Sequence, residues 1–336
     1  MFRTLGLDEF GFGVPSGHPS VAVIVSHYNS SRTILRCIEH LLKQEYPREL
    51  IKIVIVDGGS TDGSVEMVKS TKDERLFQIV EQGCSEAEGQ MIGIQDSRSE
   101  VIMLTNSDVY VPRDWVRKHV EWLSKGYDII GGKVFWGGDK FAFAWNTPTP
   151  SQPRFVQTQG MGLGFSNCSF RRSLLATVGG ISDMKSQHDT EFAFRVVMKG
   201  GKMLLDPEIE VYHDHPMRSF RLSFMRSFGY GMNHVLVMRA RYGRIVTGSG
   251  APAMMPITSL LKEWTSLNGV KTYKELYRRA LATGIRVGLL EFLFIRLFST
   301  RLGLMLGVLV GATKRKVAID SVANLHRQRS QYVRFR

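Results

Sequence analysis

Four stretches of the chain combine residue types that can do chemistry. The first is Val101 to Pro112, VIMLTNSDVYVP, where a β-compatible run leads into Asn106-Ser107-Asp108. In an open α/β sheet ligands collect at the carboxyl ends of strands. A carboxylate there can hold a divalent cation, and the cation can neutralise phosphate. The same residues also read as an ordinary strand-to-helix turn. The second is Asp57-Gly58-Gly59-Ser60-Thr61-Asp62-Gly63-Ser64, at the end of the run Ile51 to Val56. Its glycines let backbone approach a ligand, and its hydroxyls and the following helix N-terminus can donate to anions. Asp57 can accept hydrogen bonds from a base or ribose. A plain glycine-rich turn with an Asp/Ser cap is the other reading.

The third stretch, Gln187-His188-Asp189-Thr190-Glu191-Phe192-Ala193-Phe194-Arg195, opens an amphipathic helix. First-turn acids stabilise a helix N-terminus by themselves, and Arg195 lies four residues beyond Glu191 as an ion-pair partner. The fourth is His213-Asp214-His215. Two histidines near an aspartate can bind metal, or they are two surface loop histidines.

The elements that must position these residues alternate. Val21 to His27 is β-branched, as expected of a strand buried on both faces. A polar break at Tyr28-Asn29-Ser30-Ser31 precedes a helix with Ile34, Leu35, Ile38, Leu41 and Leu42 at helical spacing. Strands follow at Ile51 to Val56, Leu76 to Val80 and Val101 to Thr105, with helices after Ser64 and over residues 84–97. Strand alternating with helix implies right-handed crossovers and a mainly parallel sheet. A helix around Trp115 to Trp122 and a strand at Asp128 to Val134 come next. Residues 135–160 are aperiodic and hold Trp136, Phe141, Phe143 and Trp145, which read equally as sugar-stacking platforms or as core. Met203 to Asp206 and Ile209 to Tyr212 read as two short strands flanking Pro207. The glycine loop lacks the Gly-Lys-Ser/Thr of a P-loop and the Gly-x-Gly-x-x-Gly of a dinucleotide fold.

In this order the motifs resemble family 2 glycosyltransferases. The resemblance runs over residues 20–215 and rests on strands ending in His27-Tyr28-Asn29, in the Asp57 to Ser64 block and in Asn106-Ser107-Asp108. It implies a GT-A fold, an α/β domain with a mixed sheet flanked by helices, and transfer from a nucleotide-diphosphate sugar. Tyr28, Asn29, Asp57, Gly58, Asn106 and Ser107 would then lie at the nucleotide sugar. Asp108, matching the second acid of the family's Asp-x-Asp, would hold Mg²⁺ or Mn²⁺ with His213. The segment Gly160 to Gly180 resembles the one running beside the donor sugar, with Gly162 and Gly164 permitting close approach and Asn167 hydrogen-bonding hydroxyls. The nine residues from Gln187 look like Glu-Asp-x-Asp/Glu-x-x-x-Arg. Asp189 matches the base that deprotonates the acceptor in an inverting transfer, with His188, Glu191 and Arg195 in support. The chain departs from the family at Gly58, Asn106 and His188, which carry less charge than the acids usual there.

The net charge of +13 is unevenly spread. After Pro216 there are 21 Lys/Arg against 4 Asp/Glu; the preceding residues hold the other 23 and 27. An excess of that kind points to an anionic partner. Basic residues interleave with aromatic and aliphatic ones from Met217, Gly248 to Pro256 reads as a linker, and Leu260 to Arg279 as another basic helix. Gly284 to Thr313 is apolar but interrupted by Arg286, Glu291, Arg296 and Arg301. A spanning helix needs about 20 apolar residues. Helices lying in the membrane interface, or a shallow re-entrant hairpin, are therefore expected, with Lys314-Arg315-Lys316 suiting anionic headgroups. A soluble helical subdomain is the competing reading. No nucleic-acid-binding motif is present. Cys37, Cys84 and Cys168 lack ligand-like spacing and fit a reduced compartment. No basic-then-apolar leader opens the chain, so no secretory signal is expected.

The sequence thus predicts a lead-in over 1–19, a catalytic domain over 20–215 and a membrane-associating helical region over 216–336, at the cytoplasmic face of the membrane. The expected acceptor is lipid-linked, a polyprenyl phosphate or a lipid-linked glycan. Competing readings are a polysaccharide-elongating transferase with a non-lipid acceptor and a non-catalytic scaffold with a degraded site. A nucleotidyltransferase would be expected to carry a lysine-bearing glycine loop near the first strand, and none is there.

Overall fold

The computed structural model describes residues 17–146, 154–156, 163–184, 186–242, 275–279, 281–282 and 284–313. The expected linker at Gly248 to Pro256, the helix from Leu260 up to residue 274, the Lys314-Arg315-Lys316 cluster, Gly162 and most of the lead-in lie outside the described residues.

The chain begins with the predicted alternation. It runs β1 (Val21–His27), α1 (Ile34–Leu42), β2 (Ile51–Asp57), α2 (Ser64–Ser70), β3 (Leu76–Val80), α3 (Glu86–Asp96) and β4 (Val101–Asn106). The short β5 (Val109–Tyr110), α4 (Trp115–Ser124), β6 (Ile129–Gly137), α5 (Lys140–Phe143) and β7 (Arg154–Val156) follow. Then come β8 (Cys168–Arg171), α6 (Leu174–Val178), α7 (His188–Met198) and β9 (Met203–Asp214). Nine strands form one mixed sheet in the order β3-β2-β1-β4-β8-β6-β9-β5, with β7 also on β9. The β3-β2-β1-β4 half is parallel; β8 runs antiparallel to β4 and β6, while β6 and β9 are parallel.

The period-two pattern of the strands sorts the core into two layers. Val21, Val23 and Val25 pack with Ile34, Ile38 and Leu41 of α1 and with Trp115 and Val116 of α4. Ala22 and Ile24 face the other way, onto Ala87 and Ile94 of α3 and Phe192 and Val196 of α7. All five β1 residues from Val21 to Val25 are fully buried. Each valine or isoleucine among them contributes roughly 1.5–3 kcal/mol of transfer free energy. Helix α3 begins with a capping box: Ser85 Oγ accepts from the Glu88 amide and Glu88 accepts from the Ser85 amide.

Two sequence expectations are corrected here. Met203 to Tyr212 is not two strands flanking a proline but one continuous strand. Its register against β6 jumps from Gly132–Asp206 to Lys133–Glu210. Pro207 falls in that bulge, where its missing N–H costs no ladder bond. The aperiodic segment after Val134 is also more regular than its sequence suggests. Strand β6 continues to Gly137, and Asp139 caps α5 by accepting from the Ala142 amide.

Beyond the sheet stand α8 (Phe220–Tyr242), α9 (Leu289–Phe294), a π-helical segment Ile295–Arg301 and α10 (Leu302–Thr313). Helix α10 packs directly on α8. A Cβ added at Gly303 would lie 2.8 Å from the Phe224 carbonyl oxygen, and one at Gly307 2.0 Å from that of Phe228. Small residues four apart let two helix backbones approach this closely. A third apolar cluster, Phe135, Phe143, Leu276, Val287, Phe292 and Ile295, joins these helices to β6 and α5. Buried Arg296 fastens the junction by donating to the Ala144 and Asn146 carbonyls. Among the described residues no helix is long and apolar enough to cross a membrane.

Candidate nucleotide and metal site

The carboxyl ends of β1, β2 and β4 lie side by side, with Ser26 opposite Asn106 and His27 opposite Asp57. Their loops are laced together. Asn29, at φ 46°, donates its amide to Ser60 Oγ at 2.7 Å and accepts from the Thr61 amide at 2.9 Å. The Ser31 amide donates to Asp62 at 2.8 Å. Burial raises the Asp62 carboxyl, but the bonds donated by Ser64 and Ser31 outweigh it and hold the group well below the usual range. Ser30 and Ser107 share a hydroxyl bond of 2.7 Å, tying the first loop to Asn106-Ser107-Asp108.

Asp57 organises its own loop. It is fully buried, and its oxygens accept from the Gly59 and Ser60 amides and from Ser60 Oγ. His27 Nδ1 lies 3.0 Å from it. Burial pushes the His27 pKa down, and Asp57 only partly offsets that. Gly58 has no room for a side chain without displacing its neighbours, since a Cβ would sit 3.2 Å from the Cys84 carbonyl oxygen. Tyr28 projects from the loop, 64 % exposed.

Asp108 is joined to the end of β9 by the antiparallel pair β5–β9, in which Val109 faces His213. Its Oδ1 lies 2.9 Å from His213 Nε2 and its Oδ2 2.7 Å from His215 Nδ1. Burial alone would raise the Asp108 carboxyl; the two imidazoles hold it below the ordinary carboxylate range. Potential ligand atoms of Asp108, His213 and His215 all fall within 4.8 Å of one another. One carboxylate and two imidazoles form a donor set suited to a divalent cation. His215 thus stands with Asp108 as fully as His213 does.

Side chains from several further elements adjoin this cluster. Trp136 stacks on the His213 ring at 4.4 Å, so one of the four aromatics lies against the site. Phe143, by contrast, is fully buried against Phe135 and Phe292, in the core. Arg226, from α8, donates to His215 Nε2. Arg32 donates to Asp214 Oδ2 at 2.9 Å. Separately, on α3, Gln90 is fully buried with neither amide atom hydrogen-bonded among the described residues. Arg226, Arg32 and Gln90 are single polar residues outside any motif, legible only in three dimensions, whereas Trp136 stood among the aromatics singled out in the sequence.

On the α3/α7 face of the sheet, Thr105 donates to the Ser166 carbonyl and brings the turn Phe165–Asn167 against β4. Asp189, half-buried in the first turn of α7, accepts from the Thr190 amide through Oδ1. Its Oδ2 faces Gly164, where a Cβ would stand 3.9 Å away. Glu191 is fully buried and makes the expected ion pair as a two-pronged bond to Arg195, at 2.9 and 3.0 Å. Arg195 also donates to the Val178 and Gly180 carbonyls, so the pair fixes the loop before α7. His188 packs on Phe165.

Asn167 has a different role from the one its sequence position suggested. It is fully buried, and its amide accepts from Trp115 Nε1 and His119 Nε2 and donates to the Lys133 and Ile209 carbonyls. With every capacity used inside the fold, it cannot meet a sugar hydroxyl.

Comparison with known proteins agrees with this architecture. Residues 22–179 match the family model of Glycosyl transferase family 2. Glycosyltransferase AglE of Haloferax volcanii is 30 % identical over 122 residues, 34 % of this chain and 40 % of that protein. A dolichyl N-acetyl-alpha-D-glucosaminyl phosphate 3-beta-D-2,3-diacetamido-2,3-dideoxy-beta-D-glucuronosyltransferase of Methanococcus voltae is 24 % identical over 67 % of this chain and 76 % of its own. Among solved structures, the mannosyltransferase PcManGT of Pyrobaculum calidifontis, in complex with GDP-Man and Mn²⁺, superposes with a TM-score of 0.57 at 20 % identity. The match covers 90 % of this chain and 89 % of that one. This likeness establishes the GT-A-type fold.

Proposed function

Residues 22–179 are a family 2 glycosyl transferase domain, and on that premise we propose that the protein is an inverting glycosyltransferase. It moves a sugar from a nucleotide-diphosphate donor to a lipid-linked acceptor, at the cytoplasmic face of a membrane. The observation that carries the reading is the convergence of Asp108, His213 and His215 at the strand ends of such a domain. The lipid-linked acceptor is supported by the Methanococcus voltae relative, whose name states a dolichyl phosphate substrate.

In this reading the laced loops of Tyr28, Asn29, Asp57 and Gly58 shape the nucleotide end, and Asn106 and Ser107 continue that wall. Asp108, His213 and His215 would hold the cation. Imidazole donors favour Mn²⁺ over Mg²⁺, which keeps to oxygen ligands. When bound, the cation supplies positive charge to the diphosphate that leaves. Asp189 takes the proton of the acceptor hydroxyl as that oxygen attacks the anomeric carbon. Its Oδ2 is the atom for this step, because Oδ1 is held by the Thr190 amide. Glu191 and Arg195 fix the helix that presents it.

The test uses a panel of UDP-, GDP- and dTDP-sugars with a polyprenyl-phosphate-linked sugar, whose sugar hydroxyls carry the proton to be removed, in detergent. Asp189→Asn is expected to abolish transfer while nucleotide affinity stays within about two-fold. Asp108→Ala is expected to weaken Mn²⁺-dependent nucleotide binding by at least ten-fold. Turnover by Asp189→Asn at the wild-type rate, or Mn²⁺ dependence unchanged in Asp108→Ala, refutes the respective assignment.

A further inference from the structure

The helices that follow the sheet leave an apolar stripe uncovered. Leu290, Phe294 and Phe298 recur every four residues through α9 and the π-helical segment, exposed by 82, 54 and 39 %. Phe294 and Phe298 have ring centroids 4.7 Å apart, and Phe220 at the start of α8 lies 5.9 Å from Phe294. Leu222 and Met225, each 51 % exposed, carry the apolar surface onto α8. Within the π-helical stretch Arg296 and Ser299 are buried while Phe298 is exposed. This inverts the usual arrangement of a water-facing helix. Single exposed apolar residues are ordinary, but a continuous aromatic and aliphatic patch marks an interaction surface.

The charges around the patch select its occupant. Arg218, Arg221, Arg278 and Arg286 are exposed. Of the acids nearby, Glu291 pairs with Lys140 and Glu275 lies 3.7 Å from Arg278. Over residues 217–336 as a whole, 21 basic residues face 4 acidic ones. An apolar stripe bordered by arginines matches an anionic bilayer, with hydrocarbon below and phosphate at the rim. None of the described helices can cross that bilayer, so the fit is to its surface.

We propose that Leu290, Phe294, Phe298, Leu222 and Met225 form a docking face that enters one leaflet of an anionic membrane. This deepens the reading of a lipid-linked acceptor, and rests on it for its purpose. It adds where the bilayer lies relative to the site. An open cleft of about 470 Å³ runs between the Gly138–Lys140 turn and Gly284–Arg286, with Tyr212 and Asp214 in its wall. Asp214 sits between His213 and His215, and Leu289 follows Arg286 by three residues. A docked stripe therefore holds this cleft at headgroup level, beside the metal cluster. Arg286 and Lys140, the latter paired with Glu291, line the cleft and supply the positive charge an acceptor phosphate needs.

The test is co-sedimentation of the full chain with phosphatidylglycerol/phosphatidylcholine vesicles and with pure phosphatidylcholine vesicles. It involves no sugar transfer, so its outcome is independent of the catalytic reading. The wild type is expected to pellet with the anionic vesicles, more weakly at 0.5 M salt. Leu290→Glu/Phe294→Glu is expected to lower partitioning at least ten-fold, and Leu35→Glu, which alters an exposed residue on α1, to leave it unchanged. Circular dichroism confirms that each variant is folded; should the double glutamate variant misfold, Phe294→Ser/Phe298→Ser takes its place. Unchanged partitioning of a folded stripe variant overturns the proposal. So does a wild type that ignores vesicles but forms a dimer dispersed by the same substitutions, which would assign the stripe to a second copy of the chain.

Discussion

Asn167→Ala separates a structural role from a ligand contact at a position where sequence and structure disagree. The substitution removes the partner of four groups: the Trp115 and His119 ring N–H donors and the Lys133 and Ile209 carbonyls. A buried polar group left without its partner costs about 1–3 kcal/mol. The four share one small site, where relaxation or an entering water recovers part of the loss. A net destabilisation of about 4 kcal/mol follows. At about 2–4 °C per kcal/mol for a domain of this size, the thermal midpoint falls by roughly 8–16 °C. Thermal unfolding followed by circular dichroism measures this, and calorimetric titration of nucleotide at 15 °C measures affinity in the surviving fold. Affinity should stay within about two-fold. A midpoint shifted by less than about 2 °C, together with a ten-fold loss of donor affinity, would refute the hub and make Asn167 a ligand contact.

Three more outcomes follow from particular contacts. Burial lowers the His119 pKa to about 4, so as pH falls the unfolded chain takes up the proton first. The stability held above pH 6.5 is lost towards pH 4, by about 3 kcal/mol. Urea unfolding at a series of pH values should show this slope, and His119→Gln should flatten it. Gly307→Ala puts a methyl 2.0 Å from the Phe228 carbonyl oxygen and should separate α8 from α10 at a cost of about 1–3 kcal/mol. Amide exchange along α8 would report it. Glu191→Gln breaks the two-pronged pair with Arg195 and should destabilise by about 3–5 kcal/mol and lower kcat. Wild-type turnover in Glu191→Gln would sever the link between this pair and Asp189.

The strands β1 to β4 were legible because each is a short β-branched run closed by a polar loop, and local pattern carries that information. Strand β9 was misread because Pro207 is a breaker in the linear pattern, whereas the bulge that accommodates it depends on the pairing with β6. The two-residue β5 has no pattern to read, yet it carries Asp108 to His213. At the site, motif residues such as Asp108 and Glu191 were legible, since their types and spacings do local work. Asn167 looked like a ligand residue because it follows glycines and is polar. Its partners come from α4, β6 and β9, remote in the chain. Arg226 and Gln90 were illegible for the same reason: what makes each distinctive is its surroundings, which only tertiary structure supplies.

Asp108 and His213 are 105 residues apart in sequence, and they meet only when β9 has paired with both β6 and β5. Such distant contacts form late, after the entropy of closing the intervening chain has been overcome. A ribosome-bound chain that has emerged only as far as β8 can lay β1, β2, β3 and β4 side by side, but it has just one of the three side chains of the Asp108, His213 and His215 cluster. The cluster, and any cation site it makes, therefore belongs to the completed domain. During synthesis it would arise in a single late step, and could serve as a time stamp for closure of the sheet.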